Sequence, residues 1–383
     1  MSGAPLLYFD NNATTRLDPR VLEAMLPFLG EEYGNPSSGC RLGKRAANAV
    51  KYAREQVAAL LGCEPGEIVF TSGGTESDNA ALAAALRLNP DRRHLVTTAV
   101  EHHAVLKPCE ALAAQGCAVT HLGVDGEGRL DMSEVEHEIR PDTALLSVMA
   151  ANNETGVLFP LAELAQLARA KGVFFHTDAV QAAGKVPLRA SEMPVSYMSV
   201  SSHKIHGPKG VGALYVSRRT AWSPLLLGGG QERGRRAGTE NVPGIVGFGK
   251  AAELAAASLE VGAAEVGALR DAFERGVRER IPGVHVHGGG ASRLPNTSNL
   301  AFDGVEAESA LLLLERAQVC ASAGSACTAG SLQPSHVLRA MGHPRERVKA
   351  SLRFSFSRFT TRAEIDRALE ILPGVIARLR GEA

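Results

Sequence analysis

The sequence predicts an α/β protein: a large domain built on a mostly parallel sheet, followed by a smaller α+β domain at the C-terminus. Three observations carry this expectation. Short apolar runs alternate with helical stretches from Ile68 to Val216, which implies βαβ units with right-handed crossovers. An Ala- and Glu-rich helical stretch from Gly244 to about Arg280 then reads as a bridge. Strand-like and helical segments resume beyond it, and 383 residues suffice for one large domain with a smaller partner.

In order, Leu6 to Phe9 is a short extended segment that runs into Asp10-Asn11-Asn12-Ala13-Thr14-Thr15. Those polar residues suit either local backbone capping or contact with a substrate. Helical spacing follows over Pro19 to Leu29 and Gly43 to Leu61, with Gly62 as the expected C-cap. Ile68 to Phe70 reads as a strand, Thr71 to Ser77 as a glycine turn and Asp78 to Leu88 as a helix. Further strands are expected at His94–Ala99, Ala118–Leu122, Ala144–Ala150, Val173–Thr177, Tyr197–Ser201 and Val211–Val216. Helices are expected at Ala104–Gln115, Ser133–Ile139 and Leu161–Lys171. In the C-terminal part, Val284–His287, Ser298–Phe302 and Val348–Phe356 read as strands, and Glu306–Leu314 and Arg362–Leu379 as helices.

Charge and composition narrow the function classes. Lys and Arg number 41, as do Asp and Glu, so no net field favours nucleic acid or a membrane surface. Met1 to Asp10 lacks the basic-then-apolar pattern of a signal peptide, and no run reaches the ~18 apolar residues of a membrane span. Six cysteines are too sparse for a disulfide scaffold, and none form C-x-x-C pairs, which argues against structural zinc. His285 and His287 share a strand face, but two ligands make a weak metal site. The expected setting is a reducing cytoplasm.

The chemistry-bearing residues gather at strand C-terminal ends: Thr75, His102, Asn153, Asp178, Gln181 and Lys204, one rim of one sheet. The glycine turn ahead of Asp78 offers backbone N–H groups at a helix start, an anion site suited to a single phosphate. A carboxylate such as Asp178 at the mouth of a buried strand needs a cation, and a protonated pyridine nitrogen would serve. Lys204 lies in Ser201-Ser202-His203-Lys204-Ile205-His206-Gly207-Pro208, held on a short connection between strands. A desolvated lysine is a competent amine nucleophile, and with carbonyl cofactors it forms a Schiff base. The stretch Gly228 to Asn241 reads as a flexible, locally basic loop able to close over a phosphate. Arg353, alone among apolar residues, calls for an anion partner. Val319 to Ser331 is rich in small residues and reads as an exposed, mobile loop. Within it Cys320 reads as structural and Cys327 as reactive.

Taken together, these segments resemble the cysteine desulfurases of the class V aminotransferase family, pyridoxal-phosphate fold-type I, and among them the NifS/IscS-like group. The matching stretches are Tyr8–Thr15, Thr71–Asn79, Asn152–Gly156, His176–Gly184, Ser201–Gly210, Gly228–Thr239 and Ser322–Gly342. The resemblance implies a seven-stranded, mostly parallel sheet flanked by helices. It divides the chain into an arm (1–14), a large cofactor-binding domain (15–250) and a small domain (251–383) carrying the catalytic-cysteine loop, about 321–333. It implies pyridoxal 5'-phosphate held by Lys204 as a Schiff base, with Asp178 on the ring nitrogen, His102 stacked on the ring and Gln181 on the ring hydroxyl. Gly74, Thr75, Ser201 and His203 would cup the phosphate, and Thr239 would reach the phosphate of a neighbouring subunit in a homodimer. Asn153 and Arg353, assisted by Asn11, would orient the carboxylate of L-cysteine. Lys204, His102 and Cys327 would be catalytic, with Cys327 taking the substrate sulfur as a persulfide and passing it to an Fe–S scaffold or another acceptor protein. No intrinsic metal is implied, although the Cys327 persulfide would transiently bridge a cluster. The rival readings are a selenocysteine lyase on the same scaffold, which needs no protein thiol, and a catalytically silent scaffold protein.

Overall fold

The apolar runs pair as a central sheet in the computed structural model, which describes residues 5–323 and 334–382. A two-residue strand β1 (Leu7–Tyr8) comes first. Then follow β2 (Ile68–Thr71), β3 (His94–Thr98), β4 (Ala118–Leu122), β5 (Thr143–Ser147), β6 (Phe174–Asp178), β7 (Tyr197–Ser201) and β8 (Gly212–Val216). These last seven strands form one sheet in the order β2-β8-β7-β6-β5-β3-β4. The pairs from β4 through β7 are parallel, whereas β8 runs antiparallel to both β7 and β2. The reversal of β8 follows from its connection, because Ser202 to Val211 is too short for a crossover helix and must turn the chain back. The mostly parallel, seven-stranded α/β expectation is met.

Strands β2, β3, β5, β7 and β8 are buried along their whole length, as a sheet covered by helices on both faces requires. One face packs Val96, Leu146, Phe175 and Val200 beneath the helices Arg41–Leu61 and Val242–Ala257. Those two helices touch closely, since a Cβ at Gly249 would come within 2.5 Å of Ala53 Cα. The other face packs Val69, Leu95, Leu145 and Leu214 against the helices Gly74–Leu88 and His103–Ala114. Gly62 ends the Arg41–Leu61 helix at φ 64°, the left-handed cap that favours glycine.

A second sheet lies in the C-terminal part, with β9 (Val284–Val286), β10 (Thr297–Phe302) and β12 (Ser351–Ser355) antiparallel in the order β12-β10-β9. Strand β11 (Val319–Cys320) pairs in parallel with β1, and Phe9 stacks edge-on against Phe356 and Phe273. Phe9 thereby joins a separate apolar core with Phe273, Leu300, Phe302 and Phe354.

Three local expectations need correction. The helix read from Asp78 starts at Gly74, so the glycine turn is itself the first helical turn. The long bridge is two helices, Val242–Ala257 and Leu259–Arg280, broken at Ser258, whose hydroxyl bonds back to the Leu254 carbonyl. Val348 belongs to a short helix, Arg345–Lys349, and β12 begins only at Ser351. Among the described residues, no helix is long and apolar enough to cross a membrane.

Candidate active site

Residues from distant parts of the chain line a cavity of about 150 Å³ at the C-terminal ends of the parallel strands. Five residues singled out in the sequence meet there: His102, Asn153, Gln181, Lys204 and Arg353. Asn12, Glu154 and His336, not assigned roles in the sequence, line it too.

Lys204 ends a single 3₁₀ turn, Ser202–Lys204, directly after β7. Its ammonium donates to the carbonyls of Asn12 and Ala13, the latter at 2.8 Å. The lysine is thus fixed on a short connection. Asp178 is the last residue of β6, 7% exposed, with one carboxylate oxygen accepting the Val180 N–H at 2.9 Å. Burial first, and the neighbouring Asp78 second, push its carboxyl up to about 7. Asp78 is wholly buried and likewise pushed up to about 7 by burial.

His102 is the N-cap of the His103–Ala114 helix, its Nδ1 accepting the Ala104 N–H at 3.1 Å. Burial, followed by repulsion from Lys204, lowers its pKa to about 4. A neutral imidazole whose Nδ1 accepts carries its proton on Nε2, so His102 is a donor through that atom at neutral pH. Gln181 donates through Nε2 to the Asn12 carbonyl at 2.9 Å and accepts from Lys185 Nζ at 2.9 Å.

Arg353, 1% exposed on β12, donates to the Asn153 carbonyl at 2.9 Å and pairs with Asp10 at 2.8 Å. The register of β10 against β12 sets Asn299 opposite Arg353, and the Asn299 amide holds the Glu154 carbonyl at 3.1 Å. Glu154 accepts from the Ser335 hydroxyl at 2.5 Å, and burial raises its carboxyl pKa. His336 contacts the Glu101 carbonyl at 2.9 Å and stacks on His103 with ring centroids 4.9 Å apart.

The anion site expected ahead of Asp78 is a true helix start. The first intrahelical bond is Ser77 N–H to the Gly73 carbonyl, 3.2 Å, so the amides of Gly74, Thr75 and Glu76 precede the ladder. Bare backbone is required here: a Cβ at Gly74 would lie 2.6 Å from Val180 Cγ2, and one at Gly212 would lie 2.7 Å from Gly73 Cα. Thr75 is exposed at this end, and Ser201 Oγ sits 3.9 Å from where a Cβ on Gly73 would be. His203, its pKa drawn down to about 4 mainly by burial, contacts Thr14 Oγ1 through Nδ1 at 3.1 Å.

Other assignments fall elsewhere. Asn11 gives its amide to the carbonyls of Ser355 and Tyr8, at 2.8 and 3.2 Å, and it is Asn12 that lines the cavity. Thr239 is exposed and stands apart from the cavity residues. Its loop, read as flexible, is anchored instead: Glu232 forms a buried two-pronged pair with Arg54 at 2.6 and 2.7 Å and also accepts the Phe70 N–H at 3.0 Å. That anchoring holds Glu232 and Arg233 at φ 48° and 60°, backbone that non-glycine residues seldom adopt. Cys327 lies outside the described residues. His287 bonds Ser351 Oγ at 2.9 Å and His285 contacts Asp303 at 3.0 Å, so the two histidines do not converge.

Residues 7–368 match the class-V aminotransferase family. The chain belongs to that family. Similar class-V relatives include a cysteine desulfurase of Trichormus azollae, 53% identical over 98% of this chain and 94% of its own length. The cysteine desulfurase NifS of Azotobacter vinelandii is 51% identical over 98% of this chain and 93% of its own. A solved NifS-like protein superimposes with a TM-score of 0.92 at 38% identity, covering 97% of this chain and all of that one.

Class-V enzymes of this group depend on pyridoxal phosphate, and the residues present fit that group. A buried carboxylate held near 7 suits a cationic ring nitrogen, because the nitrogen's charge offsets the burial of Asp178. The bare glycine backbone and free amides at the Gly74 helix start suit a phosphate. Lys204 supplies the amine: it follows β7 directly, beside β6, which ends in Asp178, and at the same end of the sheet as the Gly74 helix start.

Proposed function

We propose that the chain is a pyridoxal-phosphate-dependent cysteine desulfurase that takes sulfur from L-cysteine, leaving L-alanine and a persulfide on Cys327. The observation that carries the reading is the convergence of Lys204, His102, Gln181, Asn153 and Arg353 on one cavity, in a chain 53% identical to a protein named cysteine desulfurase. When bound, the cofactor supplies an aldehyde for imine formation and an electron sink that acidifies the substrate Cα–H.

The chain's own residues divide the remaining work. Lys204 would hold the cofactor through its amine and would move the proton at the substrate Cα. Asp178 would pair with the ring nitrogen, Gln181 would donate to the ring hydroxyl, and His102 would pack on the ring and donate through Nε2. Gly74, Thr75, Ser201 and His203 would receive the phosphate. Arg353 takes the substrate carboxylate with help from Asn153; its guanidinium is already positioned by Asp10. The Cys327 thiolate attacks the substrate sulfur: an S–S bond forms, the Cβ–S bond breaks with its electron pair on carbon, and protonation there gives alanine.

The persulfide then passes to an acceptor protein, with an Fe–S scaffold as the proposed recipient in the cytoplasm. The division into arm, large domain and small domain belongs to this proposal and is supported by the separate core that gathers Leu7 and Phe9 with Phe273. So does a homodimer, supported by exposed Leu22, Leu26, Leu29 and Tyr33 beside one another in sequence. In that dimer the anchored loop presents Thr239 to the partner's phosphate. The names of the relatives give no support to a selenocysteine lyase or a silent scaffold.

Incubation of the holoenzyme with L-cysteine tests the reading. Stoichiometric alanine and one added sulfur on the Cys327 peptide are expected. Cys327→Ala should retain the bound chromophore and lose sulfur transfer; full turnover of L-cysteine by that variant would overturn the role.

A further inference from the structure

A second lysine sits behind the site, and the proposed chemistry gives it no part. Lys185 follows Gly184, whose φ of 70° is the left-handed backbone that favours glycine. Its Nζ donates to Gln181 Oε1 at 2.9 Å and faces Asn12 Oδ1 at 3.5 Å. On the other side of the same residue, the Asn12 backbone carbonyl accepts from Lys204. Asn12 is therefore bracketed by two amines, and both also line a small cavity of about 70 Å³ closed by Phe356 and Ala255.

We propose that Lys185 is a positioning residue for the cofactor, fixing the Gln181 amide so that its NH2 faces the ring hydroxyl and setting a positive charge beside the reactive Lys204 amine. The inference rests on the reading of Lys204 and Gln181 given above.

The first half follows from donor arithmetic. An ammonium has three donors and no acceptor, so it bonds only the carbonyl end of a carboxamide. With Oε1 held by Lys185 and one Nε2 hydrogen held by the Asn12 carbonyl, the second Nε2 hydrogen remains to face the cavity that Gln181 lines. Gln181 is thereby a donor into the cavity, the role that a ring hydroxyl or its anion requires. The second half follows from repulsion. Burial, then Lys204 and Arg353, pull the Lys185 ammonium down to about 7. Repulsion is reciprocal, so a charge on Lys185 disfavours a second charge at the amine of Lys204. The other groups that face Lys185 are His203 and His206 from the same turn as Lys204, Arg353 from β12, and Arg358, which Asp18 neutralises at 2.6 Å. None of them is an acid in contact with the lysine, so the carboxamides of Gln181 and Asn12 are its acceptors.

The test is spectroscopic and uses holoenzyme without substrate. The visible band of the lysine-bound cofactor is titrated against pH in wild type, Lys185→Met, Lys185→Gln and Lys185→Arg, and cofactor loss is timed in parallel. Lys185→Met is expected to raise the pH at which the chromophore takes up its proton by about one unit, a tenfold change, and to speed cofactor loss. Lys185→Gln, which keeps a donor but no charge, should show the pH shift with slower cofactor loss than Lys185→Met. Lys185→Arg, which stays charged across the titration, should place the chromophore's proton uptake at or below the wild-type pH. If Lys185→Met does not fold, the comparison of Lys185→Gln with Lys185→Arg decides alone. Titration of the Gln and Arg variants together overturns the proposal. A chromophore that survives Lys204→Ala with its band unchanged would instead overturn the underlying reading.

Discussion

Replacing Asp178 by Asn should stabilise the cofactor-free protein above neutral pH while weakening its hold on the cofactor. The carboxyl is raised from an ordinary 3.8 to about 7, chiefly by burial and then by Asp78. About three units at ~1.4 kcal/mol each make up to about 4 kcal/mol of destabilisation once the group is ionised. The sign follows from proton uptake: the folded state holds this proton more tightly than the unfolded chain. Stability from this group is therefore greatest below about pH 4, declines as pH rises toward 7, and stays low above that. Asparagine removes the charge but keeps an oxygen for the Val180 N–H, a bond of 2.9 Å. It also relieves Asp78, itself raised to about 7 by burial. Urea unfolding of stripped wild type and variant at pH 5 and pH 8 is the assay, since groups common to both cancel in the difference. The variant should gain on wild type by clearly more at pH 8 than at pH 5, where only the start of that decline has been reached. In the loaded enzyme the same change would remove the counter-charge proposed for the ring nitrogen, so cofactor retention and turnover should both fall. A variant less stable than wild type at pH 8, or one with an unchanged pH slope, would refute the argument that this buried carboxylate awaits a cation.

Two further outcomes follow from buried charges. Glu232→Gln strands the Arg54 guanidinium in the interior, and loss of half of a buried pair costs about 3–5 kcal/mol, so the urea midpoint should drop markedly; the Arg54→Met, Glu232→Gln double variant should recover part of that loss. Arg353→Lys retains a charge but not the fork that reaches both Asp10 and the Asn153 carbonyl. In steady-state assays kcat/KM for L-cysteine should fall at least about tenfold, mostly through KM, and an unchanged KM would remove Arg353 from carboxylate binding.

Much of the fold was legible because its signals are local. Apart from the edge strand β4, each parallel strand is a short buried run ending in polar residues, and a sheet buried on both faces favours that pattern. The same logic placed Lys204 on a tight connection between β7 and β8. What stayed hidden depends on partners remote in sequence. Nothing near Glu232 announces Arg54, which is 178 residues away, so a glycine-rich loop read as flexible when a buried ion pair in fact anchors it. Asn11 and Asn12 are chemically identical neighbours, and only the pairing of the N-terminal segment with Ser355 decides which faces the cavity. The helix start at Gly74 was masked for a different reason: Gly, Thr and Ser are poor helix formers, so propensity delays a boundary that close packing against Val180 moves forward. Lys185 joins both lessons. It stands four residues beyond Gln181, within reach on a turn, yet its relevance depends on Asn12, a residue 173 positions away that also meets Lys204. The cavity's acids and amines are thus set by contacts across the chain, and its electrostatics follow from the assembled rim rather than from any one motif.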